Sequence, residues 1–286
     1  MKLLSVVLCF LVLLTSGCMP SSNTTNNTET SSQVSRVVSL TSIATDIIYN
    51  LDATKLVGIS GSRLLDKNAA FQDFPRVSIG RTQPNLEKIA ALEPDLVIGA
   101  TGFHDQILTR LQSLGIKTIT TELDSWESLD KLTRTLATAI QADPEPLLQS
   151  YQQFLPSQSP RANTSTLVLV SRQPLLSPNK ESWAGDLLTK FGADNIVAQL
   201  QGKSPIQGYV TLSPEKVLQL NPQVLILVNV EEGDSKEFKS QPFWKELNAV
   251  TNDKVYEFDY YGFVNAGSLD AIAKACKQLR EIYGFS

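Results

Sequence analysis

From Arg36 onward, apolar positions follow two alternating periods. RVVSL (36–40) and KLVGIS (55–60) are short β-branched runs and read as strands. Between them, TSIATDIIYNL opens on a Thr/Ser cap and carries Ile43, Ile47, Ile48 and Leu51 at helical spacing. NLEKIAAL reads as a helix that Pro94 ends, and DLVIGA is a continuous apolar run of the kind expected for a strand buried on both faces. HDQILTRLQSLG and KTITTE add a helix and a strand. Near residue 140 two helical segments follow one another: SWESLDKLTRTLATAIQ, then PEPLLQSYQQFL after an Asp143-Pro144 start. Beyond the polar spacer SQSPRANTS the alternation resumes. TLVLVS, QVLILV and KVYEFD read as strands, and SWAGDLLTKFGA, SPEKVLQL and SLDAIAKACKQLREIYG as helices. The pattern predicts two α/β lobes with parallel sheets joined by a single interlobe helix.

Residues 87–100, EKIAALEPDLVIGA, align with 215–228, EKVLQLNPQVLILV, at a constant offset of 128. Glu87/Glu215, Lys88/Lys216, Leu92/Leu220, Pro94/Pro222 and Ile98/Ile226 are identical pairs. Two unrelated helix–Pro–strand units could match this way, but corresponding positions in two similar halves favour an internal repeat of lobes.

The first residues change the picture. Lys2 precedes LLSVVLCFLVLL and then TSGC, which is a leader with a positive end, a short apolar run and a small-residue cleavage site. The run is too short for a bilayer span. An ordinary secretory cut near Gly17 is one reading. Cys18 directly after Ser16-Gly17 resembles the bacterial lipobox, with Thr15 where Leu is commoner, and makes Cys18 the candidate lipidation site. The polar stretch after it reads as a flexible tether. The expected division is therefore a leader at 1–17, a tether at 18–35, a first lobe at 36–142, an interlobe helix and spacer at 143–160, and a second lobe at 161–286.

With a formal charge of −4 and no basic stripe, the chain offers nucleic acid no footprint. Cys9 lies in the leader and Cys18 at its end, so the mature fold keeps only Cys276, on an apolar helix face, and no disulfide framework forms. A bare Zn or Mn site needs several His plus a carboxylate, and His104 is the sole histidine. GxSxG, Walker A and GxGxxG-then-helix patterns are absent, which argues against an enzyme. In open α/β sheets ligands bind beyond the carboxyl ends of strands. That rule selects Thr41, Ser42, Arg63, Phe103, His104, Trp126, Arg172, Tyr260 and Tyr261, with Arg81, Trp183 and Tyr209 at helix entries. Stacking rings and guanidinium groups suit a flat or anionic chelate. Each also has a plainer role: solvated loop charge for an Arg, lobe packing for Trp126 and Trp183, local hydrogen bonding for His104.

NLEKIAALEPDLVIGA, SLTSIATDIIYNLDATKLVGIS, SWAGDLLTKFGADNIV and SPEKVLQLNPQVLIL, in this order, resemble the substrate-binding proteins of iron-siderophore, haem and cobalamin ABC importers, over roughly residues 36–286. The resemblance implies two Rossmann-like lobes, a rigid interlobe helix, here about residues 144–155, and a ligand cleft between the lobes. It implies a monomer that takes a small-molecule metal chelate, a ferric siderophore before cobalamin or haem, with no resident cofactor or metal of its own. It also implies docking of Glu87 and Glu215 to arginines of a permease dimer. An acid in the first turn of a helix has the plainer role of complementing the helix dipole. A catalytic or scaffold α/β lipoprotein is the alternative from another class.

Overall fold

A computed structural model describes residues 33–285 apart from 81, 158–162, 202–203, 205 and 231–233. The leader, most of the tether, Cys18 and Arg81 lie outside the described residues.

Two parallel four-stranded sheets form two α/β lobes. The first comprises β1 (Val37–Ser39), β2 (Leu56–Ile59), β3 (Leu96–Ala100) and β4 (Lys117–Thr121), in the order β2-β1-β3-β4. The second uses β5 (Ser165–Leu169), β8 (Asp194–Asn195), β10 (Val224–Asn229) and β11 (Val255–Asp259), in the order β11-β10-β5-β8. A small antiparallel sheet of β6 (Ser171–Arg172), β7 (Leu175–Pro178) and β9 (Tyr209–Leu212) is appended to the second lobe. This third sheet escapes the pattern in the sequence. Its strands are two to four residues long and one ends in Pro178, so no alternation has room to develop.

The continuous apolar runs bury both faces. In the first sheet Val38 and Val97 point towards Ile89, Ile107 and Leu111, whereas Val37, Leu96 and Ile98 point the other way. In the second, Leu167, Leu169, Leu225 and Leu227 meet Val217 and Phe238, whereas Val168, Val224, Ile226 and Val228 face oppositely. The period of two in a strand produces this division. The latter face of each sheet opens into one shared cluster with Trp126, Trp183, Phe258 and Phe263, so a single apolar core runs through both lobes.

The repeat is structural as well as sequential. The helices Leu86–Ala91 and Pro214–Leu220 each lead to a left-handed residue, Glu93 (φ 46°) or Asn221 (φ 38°), then to proline and a central strand, β3 or β10. One residue after the proline, Asp95 Oδ2 accepts from the N–H groups of Ser35 and Arg36, and Gln223 Oε1 accepts from that of Ser165. Each side chain ties the entry of the neighbouring strand, β1 or β5, to the entry of the central one.

Between β4 and β5 the chain runs through two helices, Trp126–Ile140 and Glu145–Gln152. The first carries a Ser125/Ser128 capping box and packs on both the helix Ser42–Asp52 of the first lobe and the helix Trp183–Lys190 of the second. The longer, earlier helix therefore touches both lobes, and the helix expected over about 144–155 is observed as Glu145–Gln152. The shorter one is buttressed by Tyr151, whose hydroxyl meets that of Thr133 at 3.0 Å, and by the Arg280 guanidinium, which donates to the carbonyls of Gln153 and Leu155.

At this seam Trp126 and Trp183 stack with ring centres 6.1 Å apart and planes 15° from parallel. The Trp126 N–H donates to Asp186 Oδ2 (2.8 Å), and Trp183 Nε1 donates to the Gly262 carbonyl (2.9 Å). Asp46 crosses the seam too: its Oδ2 accepts from Leu269 N (2.7 Å), the first residue of the helix Leu269–Tyr283. Cys276 of that helix is fully buried, and burial pushes its thiol up to about 12, as fits a small apolar filler.

Burial raises the Asp46 carboxyl above its ordinary range, and nearby Asp270 adds to this. The hydrogen bonds from Leu269 and Asn50 oppose it. A raised folded-state value means that ionised Asp46 weighs against the fold at neutral pH, and that this burden lifts as acid protonates it. Asp46→Asn keeps an acceptor for Leu269 N without the charge. The variant should be at least as stable as the parent near pH 7, with the gap closing as pH falls from about 7 towards about 4. Denaturant midpoints across that range check this, and a gap that widens on acidification contradicts it.

Candidate functional site

The carboxyl ends of all four strands of the first sheet meet loops of the second lobe around a cleft of about 610 Å³, within the range for small-molecule sites. Thr41 and Ser42 follow β1, Ser60 and Arg63 follow β2, Phe103 and His104 follow β3, and Leu123 follows β4. From the second lobe come Val230 after β10, and Tyr261 and Asn265 after β11.

The floor beside β2 depends on close backbone approach. Gly61 N donates to Ser78 Oγ (2.9 Å), and a Cβ at Gly61 would lie 2.3 Å from the Ser78 carbonyl oxygen. Only glycine admits the Ser78–Gly80 segment here. Ser60 is 7% exposed, and its hydroxyl has no hydrogen-bond partner among the described residues. His104 is 5% exposed, and its Nδ1 accepts from Ala100 N (2.9 Å). Burial lowers its pKa, against a smaller opposing effect of Asp105, and holds the imidazole neutral. Among the described lining residues Arg63 is the one formal charge. The rest of the polar surface is hydroxyl and amide, and Phe103 (53% exposed) and Val230 (44%) supply an apolar rim.

Of the residues expected at the site, the structure brings Thr41, Ser42, Arg63, Phe103, His104 and Tyr261 together at this cleft. It does not bring Trp126 and Trp183 there: their relative exposures are 6% and 2%, and they stack in the shared core because each opens a helix that is turned towards the seam. Tyr260 lies half-buried against the core with its ring edge on Tyr261. Tyr209 starts β9, is half-buried and is not among the lining residues, and burial raises its phenol well above the ordinary range. The backbone of Arg172 in β6 pairs with that of Leu175 in β7. Glu87 and Glu215 are exposed in the first turns of their helices, and the Ser213 hydroxyl holds the Glu215 carboxyl below the usual carboxylate range.

Ser60, Ser62 and Asn265 also line the cleft and obey the same strand-end rule, but as ordinary small polar loop residues they carry no signal of their own. Ser78 carries no local signal. It reaches the cleft because the segment around Arg76 bridges to Ile59 alongside β2.

A larger cavity of about 820 Å³ lies within the second lobe, between β5, the third sheet and the helix Asp234–Lys239, and shares Val230 with the cleft. The smaller one is the candidate site because both lobes line it and four strand ends converge on it. Among the described residues no three His, Cys, Asp or Glu side chains gather to hold a bare metal ion.

Two parallel-sheet lobes around a strand-end cleft define the class of two-lobed solute-binding proteins. The family model for periplasmic binding proteins matches residues 37–261, and the chain belongs to that family, whose members are extracytoplasmic binding components of transporters. The Fe(3+)-citrate-binding protein YfmC of Bacillus subtilis is 28% identical over 291 residues, covering 90% of each chain. The high-affinity heme uptake system protein IsdE of Staphylococcus aureus is 25% identical over 296 residues, covering 99% of this chain and 97% of that one. The crystal structure of an ABC transporter substrate-binding protein from Listeria monocytogenes superposes with a TM-score of 0.70 at 21% identity, covering 88% of this chain and 99% of that one.

A buried hydroxyl without a partner weighs against the fold by about 1–3 kcal/mol. Ser60→Ala should therefore leave the ligand-free protein as stable as the parent, or raise its unfolding free energy by up to about 1 kcal/mol. A clear loss of stability in denaturant titration would show that the hydroxyl is already satisfied.

Proposed function

We propose that the protein captures an oxygen-rich ferric chelate, of the ferric citrate or siderophore kind, and hands it to an ABC permease from the outer face of the cell membrane. The observation that carries this reading is the chemistry of the described cleft lining: hydroxyl and amide groups from both lobes, one guanidinium at Arg63, an apolar rim and, among the described residues, no carboxylate. Such a lining offers donors to the negative oxygens of a chelate and would not strip its metal. The name of YfmC points the same way. A haem ligand is the second reading, favoured by the Tyr261 phenol at the cleft and by the name of IsdE. Cobalamin is the third ligand of the same family. Lipidation of Cys18, supported by the TSGC leader end, would hold the protein at the membrane surface.

Thermal unfolding against ferric citrate, a ferric hydroxamate, a ferric catecholate, haem and cobalamin tests the ligand. A ferric chelate should stabilise by mass action, about 2.7 kcal/mol at a hundredfold excess over its Kd. Stabilisation by haem or cobalamin alone would reassign the ligand, and none from the whole panel would overturn a transport role.

Glu87 and Glu215 sit at matching points of the two lobes, exposed and clear of the cleft lining. They are proposed to meet cationic residues of a two-fold permease. Glu87→Arg with Glu215→Arg should leave chelate affinity near the parent's and cut cellular uptake sharply, each single change giving a partial loss. Parent-level uptake by the double variant would remove the docking role.

A further inference from the structure

His104 is the chain's one histidine, and no part of the reading above says what its ring does. Its surroundings decide which nitrogen carries the proton. The backbone N–H of Ala100 donates to Nδ1 at 2.9 Å, and that N–H has no choice of role, so Nδ1 presents its lone pair. In a neutral imidazole the single proton then sits on Nε2. His104 N also donates back to the Ala100 carbonyl at 2.9 Å, so the turn 100–104 is closed by two hydrogen bonds between the same two residues. The ring is confined further. The edge-on ring of Phe103 lies 4.8 Å away, and Gly99 leaves room that any side chain would take, since a Cβ there would stand 2.9 Å from His104 Cβ. Nε2 itself has no hydrogen-bond partner among the described residues, and His104 lines the cleft.

From this geometry we infer that His104 is a fixed, neutral hydrogen-bond donor to an oxygen atom of the bound chelate, through Nε2–H, and not a ligand to its metal. The inference rests on the ferric-chelate reading and sharpens it. Coordination through Nε2 would need that nitrogen's lone pair, which moves the proton to Nδ1. Two donors, Nδ1–H and Ala100 N–H, would then face each other across 2.9 Å. Histidines that bind metals show the reverse arrangement, with the second nitrogen donating to a carbonyl or carboxylate. A donor without charge also reads the position of an acceptor oxygen and not the net charge of the chelate, so His104 is assigned to specificity and Arg63 to charge.

Because the chain has one histidine, protein labelled with 15N-histidine shows one imidazole. Its two nitrogens should report an unprotonated Nδ1 and a protonated Nε2 both ligand-free and loaded with gallium(III) citrate or gallium(III) desferrioxamine. A proton on Nδ1, or loss of the Nε2 proton on loading, overturns the inference. Two variants separate the donor from the turn. His104→Asn puts a carboxamide oxygen near the place of Nδ1 and keeps Ala100 N–H satisfied, but does not reach the ligand. It should unfold near the parent's midpoint and bind the ferric forms of the same chelates about tenfold more weakly. His104→Gln carries an amide N–H towards the place of Nε2. It should bind better than the Asn variant and unfold earlier, with the visible spectrum of the bound ferric chelate unchanged in both. Parent-like affinity in the Asn variant overturns the donor role alone. A parent that binds none of these chelates overturns the ferric-chelate reading, and this inference with it.

Discussion

The two lobes share one apolar core, and the other features depend on it. One face of each sheet empties into the same cluster, where Trp126 of one segment lies flat on Trp183 of another. Aromatic pairs of this kind add about 0.5–1.5 kcal/mol beyond the area they bury. Around the stack, Trp126 N–H to Asp186, Trp183 Nε1 to Gly262 and Leu269 N–H to Asp46 join parts of the chain that are 60, 79 and 223 residues apart. A hinge that opened the cleft widely would have to unstack the indoles and strip these buried groups of partners. The seam therefore sets the spacing of the cleft before any ligand arrives, and a preset cleft loses little ordering entropy on binding.

The cleft inherits its chemistry from what strand ends can offer. Parallel strands end together, so β1 to β4 present their following loops along one edge. Among the described lining residues these loops carry hydroxyls, one guanidinium and one imidazole, with rings at the rim. None of these groups competes well with a chelator for ferric iron, and several can donate to the chelator's oxygens. His104 illustrates how backbone chemistry settles a side chain's role: an N–H four residues back selects the tautomer, and the tautomer selects donation over coordination.

The internal repeat ties the fold to two surface positions. In both lobes a short helix with an acid in its first turn leads through a left-handed residue and a proline to the central strand. The elements that centre each sheet thus also place Glu87 and Glu215 at matching exposed points. The plainer reading of these acids, as complements to the helix dipole, is compatible with the same geometry.

Much of the architecture was legible in the residues themselves. DLVIGA and QVLILV read as strands, the first as one buried on both faces, and β3 and β10 are indeed central in their sheets. Offset-128 identities marked the repeat, and the segments NLEKIAAL, SWESLDKLTRTLATAIQ, SWAGDLLTKFGA and SPEKVLQL start within a residue of the observed helices, which Asn85, Ser125, Ser182 and Ser213 cap. The third sheet was illegible because strands of two to four residues hold no periodicity. For side chains the division is sharper. Local sequence determined that a loop follows each strand and which polar or aromatic groups it carries, because backbone hydrogen bonding and apolar periodicity act over a few residues. Tertiary structure alone decided that Trp126 and Trp183 turn into the core while Phe103 and Tyr261 face the cleft, that Ser78 joins them, and that the His104 ring presents Nε2. Those outcomes depend on which distant surface packs against each loop, and that contact free energy is not a property of any short stretch of chain.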